Sequence, residues 1–445
     1  MAALALGTAS VGAAAAAPTG RTFAVSVNDQ GVLGNALSHS QTISADGRFV
    51  AFESQASNLA GVDLNGEFEI FVRDLVNHRT ERITAGALGL DSDFSSGQPA
   101  LSGDGRFVAF MSEATNLVLG DTNEFDDVFV FDREKQVTER VSLPTGIAPS
   151  GDGAGTLKDV VAAEAATRQA NGNSQVPSLS ADGRYVAFDS YADNLVPGDT
   201  NNLSDVFVRD RLTHTTERID VGPDGRQTTA DSGQAVISAD GRYVAYESWA
   251  TEPAPGDTND WYDVFVHDRL KHTTERVSVS SKGAGGDAAS FAPSISADGR
   301  YVAYDSVATN LVPGDTNGKY DVFVRDLLRH TTTRVSVDGT AGQCAGDSGL
   351  ASISGDGRFV GYHSFCTTLV ADDRNKARDV FVHDRDTGEV TRVSVTDDGS
   401  DAAGVSGAPA LSYDGRWVAF DSLAANLATS DTNDADDTFV RDRLG

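Results

Sequence analysis

Seven loops of the sequence repeat one pattern of oxygen-bearing side chains, Asp-x-Asn-x-x-x-Asp/Glu. Its members are Asp63, Asn65 and Glu69; Asp121, Asn123 and Asp127; Asp199, Asn201 and Asp205; Asp257, Asn259 and Asp263; Asp315, Asn317 and Asp321; Asp373, Asn375 and Asp379; and Asp431, Asn433 and Asp437. Calcium collects roughly six to eight oxygen ligands from carboxylates, amides, carbonyls and water. The pattern therefore indicates calcium sites. The same residue types also close Asx-turns through their own backbone, and this alternative stays open.

The seven loops are not expected to bind a cation equally. The loop of Asp373 also carries Arg374, Lys376 and Arg378, whose positive charges disfavour a cation. The loop of Asp431 instead adds two acids, Asp434 and Asp436. We therefore expect calcium in the other six loops and weak binding, or none, in the sixth.

These loops are spaced by a longer repeat. The segment Ser-Ala-Asp-Gly-Arg, or a close variant, recurs with its aspartate at Asp46, Asp104, Asp182, Asp240, Asp298, Asp356 and Asp414. Every interval is 58 residues except the second, which is 78. A fixed period in this range, combined with strand-like content, is typical of propeller blades.

One copy shows the content of the unit. Residues 292–296 and 301–306 are apolar, β-branched and aromatic, and the Asp-Gly turn between them predicts a hairpin. After a long polar loop, 321–326 and 333–337 alternate polar and apolar residues and predict two further strands. The sequence thus predicts an all-β fold: a seven-bladed β-propeller of four-stranded antiparallel blades.

The last copy reaches only its third strand before Gly445, whereas a matching fourth-strand pattern stands at Thr22–Val27. Val27 precedes Asp46 by 19 residues, as Val279 precedes Asp298. We therefore predict that the N-terminal strand pairs with residues 437–442, completes the seventh blade and closes the ring, which removes its exposed edges. The propeller then extends over residues 21–445.

The run Ser-x-Asp-Gly-Arg-[Tyr/Phe]-Val-Ala-[Phe/Tyr], followed by Asp-Val-Phe-Val-Arg-Asp, resembles the propeller repeats of the TolB-like (WD40-like) family. The resemblance covers nearly everything after residue 21. It implies a secreted or periplasmic propeller that binds other proteins. The sequence differs from TolB itself in its number of copies and in lacking the additional N-terminal α/β domain, so the specific envelope role of TolB is not expected here.

The charge composition limits the classes of partner that the chain can bind. The chain has 35 Lys and Arg against 65 Asp and Glu, a net charge of −30, which opposes nucleic acid and anionic membrane surfaces. Residues 1–20 are rich in Ala and other small residues and predict a signal-peptide-like leader, although no basic residue precedes Arg21. A disordered Ala-rich tail stays open as the alternative. No other apolar run is long enough to span a bilayer. We expect a secreted, extracellular or periplasmic monomer.

Two cysteines are too few for a disulfide-built scaffold, but they fall on the same predicted face. Cys344 lies in the loop that enters the sixth blade, and Cys366 lies in that blade's second-to-third-strand loop. An oxidising compartment would permit a disulfide between them.

An insertion of about 144–175 separates the second and third copies. A capping box begins at Thr156, an Ala-rich stretch follows, and Asn171-Gly172 provides a stop, so the sequence predicts a short helix on the loop-bearing face. Such a helix would either cover part of the channel mouth, dock a partner or be a tolerated insertion.

Function is expected on the loop-bearing face or at the central channel. We favour a non-enzymatic binding or scaffold protein with a protein or glycan partner there, because no Gly-x-Ser-x-Gly elbow accompanies the repeats. A lyase or glycosidase at the channel mouth remains an alternative, as does a lectin-like module, although Trp249, Trp261 and Trp417 are scattered.

Other repeated polar residues are interpreted as structural pairs or solvated turns, because they recur with the blade. They are the arginine of each Asp-Gly-Arg turn, the second-strand carboxylates Asp189, Asp305 and Asp421, and the histidines His214, His272 and His330.

Overall fold

The computed structural model of the chain describes residues 20–61, 63–87, 89–148, 169–254, 257, 259–338, 342–428, 431 and 433–445. Apart from Gly20, the leader predicted over residues 1–20 lies outside them. The helix predicted within the insertion, from Thr156 to Ala170, also falls outside them except for Gln169 and Ala170, which are not helical.

The described residues form β-strands and no helix. The strands are β1 Arg21–Ala24, β2 Ser38–Ile43, β3 Phe49–Ser54, β4 Glu69–Asp74, β5 Arg79–Arg82, β6 Ser96–Leu101, β7 Phe107–Ser112, β8 Asp127–Asp132, β9 Val137–Arg140, β10 Ser174–Leu179, β11 Tyr185–Ser190, β12 Asp205–Asp210, β13 Thr215–Arg218, β14 Ser232–Ile237, β15 Tyr243–Ser248, β16 Asp263–Asp268, β17 Thr273–Arg276, β18 Ser290–Ile295, β19 Tyr301–Ser306, β20 Asp321–Asp326, β21 Thr331–Arg334, β22 Ser348–Ile353, β23 Phe359–Ser364, β24 Asp379–Asp384, β25 Val390–Arg392, β26 Ser406–Leu411, β27 Trp417–Ser422 and β28 Asp437–Asp442.

Each group of four successive strands from β2 onward forms one antiparallel sheet, and we number these blades 1 to 6. Blade 7 has the order β1-β28-β27-β26, so its outer strand comes from the N-terminal end of the described chain. The first strands of neighbouring blades contact one another all the way round, and they form the inner wall of the ring. The predicted seven-bladed β-propeller is confirmed.

Ring closure is also confirmed, with a shift in its bounds. Strand β1 pairs from Arg21↔Asp442 to Ala24↔Phe439, so the strand is shorter than the predicted Thr22–Val27. After Ala24 the chain already turns toward blade 1 and is buried there. The same shift occurs in blade 5, whose fourth strand is Thr331–Arg334 rather than 333–337. The residues that follow, such as Val335, are buried in the connection to the next blade.

The core lies mainly between neighbouring blades. One cluster joins Val264 and Val266 of blade 4 to Val302, Tyr304 and Phe323 of blade 5. Within each blade, an aromatic ring of the second strand stacks on a phenylalanine of the third strand, with centroids 5.7 to 6.1 Å apart. Because each blade covers its neighbour, the closed ring buries both faces of every sheet.

The Asp-Gly-Arg turns are held by bidentate ion pairs, as their structural interpretation predicted. Arg300 donates from Nε and Nη2 to Asp326, at 3.0 and 2.7 Å. The equivalent pairs are Arg48–Asp74, Arg106–Asp132, Arg184–Asp210, Arg242–Asp268, Arg358–Asp384 and Arg416–Asp442. His214, His272 and His330 occupy left-handed positions, with φ of 52 to 56°, in the tight hairpins on the same face. These groups position the blades and leave the opposite face for function.

Every inner strand carries a bulge at its third residue. The seven residues have φ between 43 and 53°, and they are Ser40, Gln98, Val176, Gln234, Ala292, Leu350 and Ala408. Pairing with the second strand is interrupted next to each of them. A bulge frees a backbone N–H from the ladder and re-aims it. In this ring several of those N–H groups donate to a carboxylate on the second strand of the preceding blade.

Candidate functional site: the loops and the channel mouth

The last member of each Asp-x-Asn-x-x-x-Asp/Glu loop is the first residue of a third strand and is fully buried. In blade 4 it is Asp263, and Arg276 of the fourth strand reaches it. Arg276 Nη2 lies 2.6 Å from Asp263 Oδ1, and its Nη1 lies 3.1 Å from Asp257 Oδ1. One guanidinium therefore bridges the two carboxylates on which a calcium site in this loop would depend.

The same arginine recurs in blades 1 to 6. Arg140, Arg218, Arg276, Arg334 and Arg392 each bridge the first and last acids of their loop, and Arg82 pairs with Glu69 and Asp91. A buried carboxylate pair costs several kcal/mol unless a positive charge compensates it. In these six blades the protein supplies that charge itself.

Blade 7 differs, because Ala24 stands where the arginine would be. Ala24 pairs with Phe439, just as Arg276 pairs with Phe265 in blade 4. Asp437 instead accepts hydrogen bonds from Ser26 Oγ at 2.7 Å and Asn433 Nδ2 at 3.1 Å. Burial raises the pKa of Asp437 to about 6. Blade 7 thus keeps the acids of the loop without the bridging arginine.

The loop asparagines have a structural role in the described chain. Asn317 Nδ2 donates to the carbonyl of Cys344 at 2.9 Å, and Asn433 Nδ2 donates to that of Gly34, also at 2.9 Å. Each amide therefore joins its loop to the connection entering the next blade. Asn317 Oδ1 accepts from the backbone N–H of Lys319, which is an Asx-turn. Among the described residues, no group of three or more His, Cys, Asp and Glu side chains is arranged to hold a metal ion.

The two cysteines are joined in a disulfide, with their Cα atoms 5.9 Å apart. Both are nearly fully buried in the core between blades 5 and 6. The bond links the loop entering blade 6 to the loop between that blade's second and third strands.

Near the channel mouth on this face lies the fifth residue of each second strand, which pairs with the second residue of the inner strand. Going round the ring, these residues are Glu53, Met111, Asp189, Glu247, Asp305, His363 and Asp421. Five are carboxylic acids, but they are not equivalent, because their neighbours differ from blade to blade. We call Asp189, Glu247 and Asp305, from blades 3 to 5, the acidic arc.

Members of the acidic arc reach across to the bulged inner strand of the next blade. Glu247 accepts the N–H of Ala292 at 2.9 Å, and Asp305 accepts that of Leu350 at 2.7 Å. Gly349 leaves the necessary room, because a Cβ there would lie 2.9 Å from Asp305 Oδ2. Burial raises the pKa of Asp189 and of Asp305 to about 7. Glu247 and Asp305 therefore link neighbouring blades, and Asp189 and Asp305 have pKa values raised toward neutrality.

Basic groups neutralise the opposite side of the mouth. In blade 1, His39 Nδ1 lies 2.6 Å from Glu53 Oε1, and this contact raises the pKa of the histidine. Between blades 6 and 7, Arg378 donates to Ser406 O at 3.0 Å, and its charge lowers the pKa of Asp421 against the larger effect of burial. Burial and Arg378 together lower the pKa of His363 to about 4. The charge distribution around the mouth is therefore asymmetric, with these basic groups on the side opposite the acidic arc.

Four aromatic side chains form a continuous line beside the acidic arc. Ring centroids lie 5.5 Å apart from Trp249 to Tyr262, 5.5 Å from Tyr262 to Phe291 and 6.4 Å from Phe291 to Tyr320. Trp249 is 50% exposed and Tyr320 is 40% exposed. We call these four residues the aromatic ladder. At the position of Phe291 the other inner strands carry His39, Gly97, Gln175, Gly233, Gly349 and Gly407, so the ladder is confined to blades 4 and 5.

The interpretation of Asp189, Asp305 and Asp421 as ordinary structural repeats was incomplete. Asp305 does link two blades, yet all three acids also lie near the channel mouth, where their surroundings break the sevenfold symmetry. The sequence signal that could have revealed this is the non-equivalence of neighbouring positions. Four inner strands carry glycine at the position that Phe291 occupies in blade 5. The residue just before the third strand is Tyr320 in blade 5 and Arg378 in blade 6. The ladder itself could not be found from spacing, because its members come from two blades.

No protein-family model matches the chain, and no curated protein is similar to it in sequence. Among solved structures it is similar to oligogalacturonate lyase from Vibrio parahaemolyticus, with 13% identity over 95% of this chain and 97% of that chain and a TM-score of 0.52. The β-propeller domain of the Trilobed protease from Pyrococcus furiosus gives 12% identity, 87% and 89% coverage and a TM-score of 0.51.

TolB from Acinetobacter baumannii is also similar, with 16% identity over 73% of this chain and a TM-score of 0.38. The match spans 61% of the length of that TolB. No helix among the described residues is long and apolar enough to cross a membrane. At these identities, the likeness to the lyase and to the protease domain shows that the chain shares their β-propeller fold.

Proposed function

We propose that the chain is a non-enzymatic binding protein that engages a protein partner through the channel mouth of its loop-bearing face. The aromatic ladder carries this proposal. Exposed aromatic side chains supply large contact area at low entropic cost and are enriched where proteins bind one another. The ladder is the strongest departure from sevenfold symmetry in the described mouth, and a binding site for one partner must break that symmetry.

The two other functions left open by the sequence are less well supported. Oligogalacturonate, which the name of the structurally similar lyase gives as its substrate, is an anionic sugar, and the acidic arc would repel it. Neutral glycans also stack on aromatic rings, so a lectin-like function stays the main competitor. A lectin with one site per blade would need an equivalent aromatic in each loop, whereas the ladder is limited to two blades.

Site-specific photocrosslinking tests this function. A photoreactive phenylalanine analogue replaces Tyr320 in one variant and Phe365 in the other, and both variants are exposed to the extracellular fluid or periplasmic extract of the native source. Phe365 is the control, because it is 52% exposed and belongs to blade 6. We expect the variant with the analogue at Tyr320 to form a crosslinked product with a partner protein. Adding Trp249→Ala to that variant should abolish the product. Equal labelling at both positions, or none, would contradict the proposal.

We also propose that calcium binds the loop of blade 7. The supporting observation is Ala24, because the missing arginine leaves Asp431 and Asp437 without the internal cation of the other loops. Asp434 and Asp436 add negative charge nearby. The bridging arginines weaken the expectation of calcium for the loops of blades 1 to 5, and the sixth loop keeps its predicted weakness.

Thermal melting with chelator and with millimolar calcium tests this second proposal. A site filled at a hundred times its Kd would stabilise the fold by about 2.7 kcal/mol. Ala24→Arg supplies the missing guanidinium and should abolish the calcium-dependent shift. Asp315→Asn alters an arginine-bridged loop and serves as the control, so it should leave the shift unchanged. An absent shift in the native chain would leave all seven loops as turns.

A location outside the cytoplasm fits the same function. The Ala-rich segment of residues 1–20 and the disulfide both favour a secreted or periplasmic protein. Fusing that segment to a reporter that is active only after export gives the test. Export of the reporter supports the proposal, and cytoplasmic retention opposes it.

A further inference from the structure

The sector of the mouth that spans blades 3 to 5 holds buried acids with unmet hydrogen-bonding capacity. Asp189 is 3% exposed and Asp305 is 7% exposed, and Oδ1 of each lacks a hydrogen-bond partner. Buried polar atoms are normally satisfied, so each exception requires an explanation. A positive charge brought to this sector would stabilise the ionised forms of both acids.

None of the residues that the structure describes supplies that positive charge. Among the described residues, no member of the acidic arc forms an ion pair with lysine, arginine or histidine, whereas Glu53 pairs with His39 on the opposite side. One basic residue of the sector, Lys319, lies 3.4 Å from Asp347 and is committed to that carboxylate. The sector therefore keeps a net negative potential within a chain of net charge −30.

The aromatic ladder crosses the same sector. Phe291 pairs in register with Asp305, and Glu247 directly precedes Ser248 and Trp249 in the chain. Trp249 is held in place by the hydrogen bond from its Nε1 to the carbonyl of Asp260, at 2.9 Å. Burial raises the pKa of Tyr262, and the charges of Asp231 and Glu247 raise it further, so acids also act on the ladder in blade 4.

Aromatic faces surrounded by carboxylates have a defined ligand chemistry. The negative face of an aromatic ring attracts ammonium and guanidinium groups, most strongly on tryptophan. The aliphatic stem of lysine or arginine packs on the ring while the carboxylates attract its charge. An anionic or purely apolar ligand would gain nothing from the acids.

We propose that this sector binds a lysine or arginine side chain carried by a basic segment of a protein partner. The inference rests on the proposed binding function and names the chemistry of the partner. The cationic group lies against the aromatic ladder, within the field of the acidic arc, and the rest of the segment follows the loop-bearing face.

Fluorescence anisotropy with labelled model peptides tests it. The probes are a short peptide of alternating glycine and arginine, its lysine equivalent and its glutamine equivalent, in low salt at about pH 8, where the acids are ionised. We expect saturable binding of the two basic peptides, no binding of the glutamine peptide and loss of affinity with added salt. Trp249→Ala and Glu247→Gln should each weaken binding about tenfold, a loss of about 1.4 kcal/mol.

Two matched variants are the controls. Phe365→Ala removes an exposed aromatic from the repeat position of Trp249, and Glu53→Gln neutralises an acid at the repeat position of Glu247 that already pairs with His39. Both should bind as the native chain does, and circular dichroism verifies that all four variants fold. Equal binding of the glutamine peptide, absent binding of both basic peptides, or equal losses in control and test variants would overturn the inference.

The outcomes also separate this inference from the broader function. If photocrosslinking from position 320 still captures a protein while neither basic peptide binds, the partner is recognised by other chemistry and only this inference fails. Binding of a neutral oligosaccharide in place of the basic peptides would indicate the lectin-like alternative and would overturn both.

Discussion

Ala24 lies directly opposite Phe439 in blade 7, at the register position where arginine lies opposite phenylalanine in every other blade. Closure of the ring brings this difference about, because the outer strand of blade 7 comes from a different part of the chain than the other outer strands. One blade therefore differs from the rest in the charge balance of its loop. In the other six blades, the contribution of the arginine to stability can be measured by replacing it.

Arg334→Met in blade 5 should destabilise the propeller by roughly 3–5 kcal/mol, because it leaves the buried carboxylates of Asp315 and Asp321 without their bridging charge. Chemical denaturation at neutral pH measures the change. The control is Arg226→Met, whose ion pair with Asp224 is largely exposed and should be worth little. Similar losses in both variants would show that the buried bridge is unimportant.

Deletion of residues 21–27 should lower the melting temperature strongly and promote aggregation, because it exposes the edge of β28 and removes the buried Val25. Light scattering during the melt reports the aggregation. As a control, Arg21→Ser removes only exposed contacts, with Asp397 and with the ring of Phe23, and should leave melting unchanged. Unchanged melting after the deletion would contradict closure by this strand.

Removing the disulfide should cost about 3 kcal/mol, the value expected from loop-closure entropy for cysteines separated by 22 residues. The Cys344→Ser, Cys366→Ser double variant is compared with the native protein by denaturation with and without reductant. Reductant should destabilise only the native protein. Two free thiols in the denatured, unreduced native protein would show that the bond does not form.

Stability should respond to pH through Asp305, whose pKa burial raises to about 7. Below about pH 4 both folded and unfolded chains hold this proton, so the group contributes nothing unfavourable there. As pH rises through about 7 the folded chain must ionise a buried acid, and the stability that protonation gave is lost.

Asp305→Asn removes this loss of stability. The variant should therefore be as stable as the native protein near pH 4 and more stable by roughly 2–4 kcal/mol above pH 7. Asp268→Asn is the control with opposite sign. Arg242 holds the pKa of Asp268 at about 2, so this substitution should destabilise at every pH between 4 and 8. An Asp305→Asn effect that is independent of pH would show that the acid does not titrate in this range.

The sequence predicted the architecture almost completely, because the repeat made each blade an independent copy of the same inference. The Asp-Gly turn at Asp298, the alternation of 321–326 and the fourth-strand pattern after Thr22 each sufficed to place an element. Strand ends were predicted less well. Burial of residues such as Val335 extends the hydrophobic pattern beyond the last hydrogen-bonded pair.

For the candidate site, only the face of the propeller on which it lies was predicted. The sequence placed function on the loops or the channel, but the role of Arg276 depends on a register between two strands that composition does not reveal. The acidic arc and the aromatic ladder require three neighbouring blades to be assembled first. In a repeat protein, equivalent positions are easy to recognise in sequence, whereas contacts between copies become visible only in three dimensions.

Closure of blade 7 also places Gly20 beside Gly445, since a Cβ on Gly445 would lie 3.6 Å from the backbone nitrogen of Gly20. A peptide linker could join these positions without disturbing a blade. The chain could then be opened in a hairpin of any other blade, which would give a set of circular permutants with the same fold and different termini. Cargo fused at the new ends could be placed beside the aromatic ladder or across the ring from it.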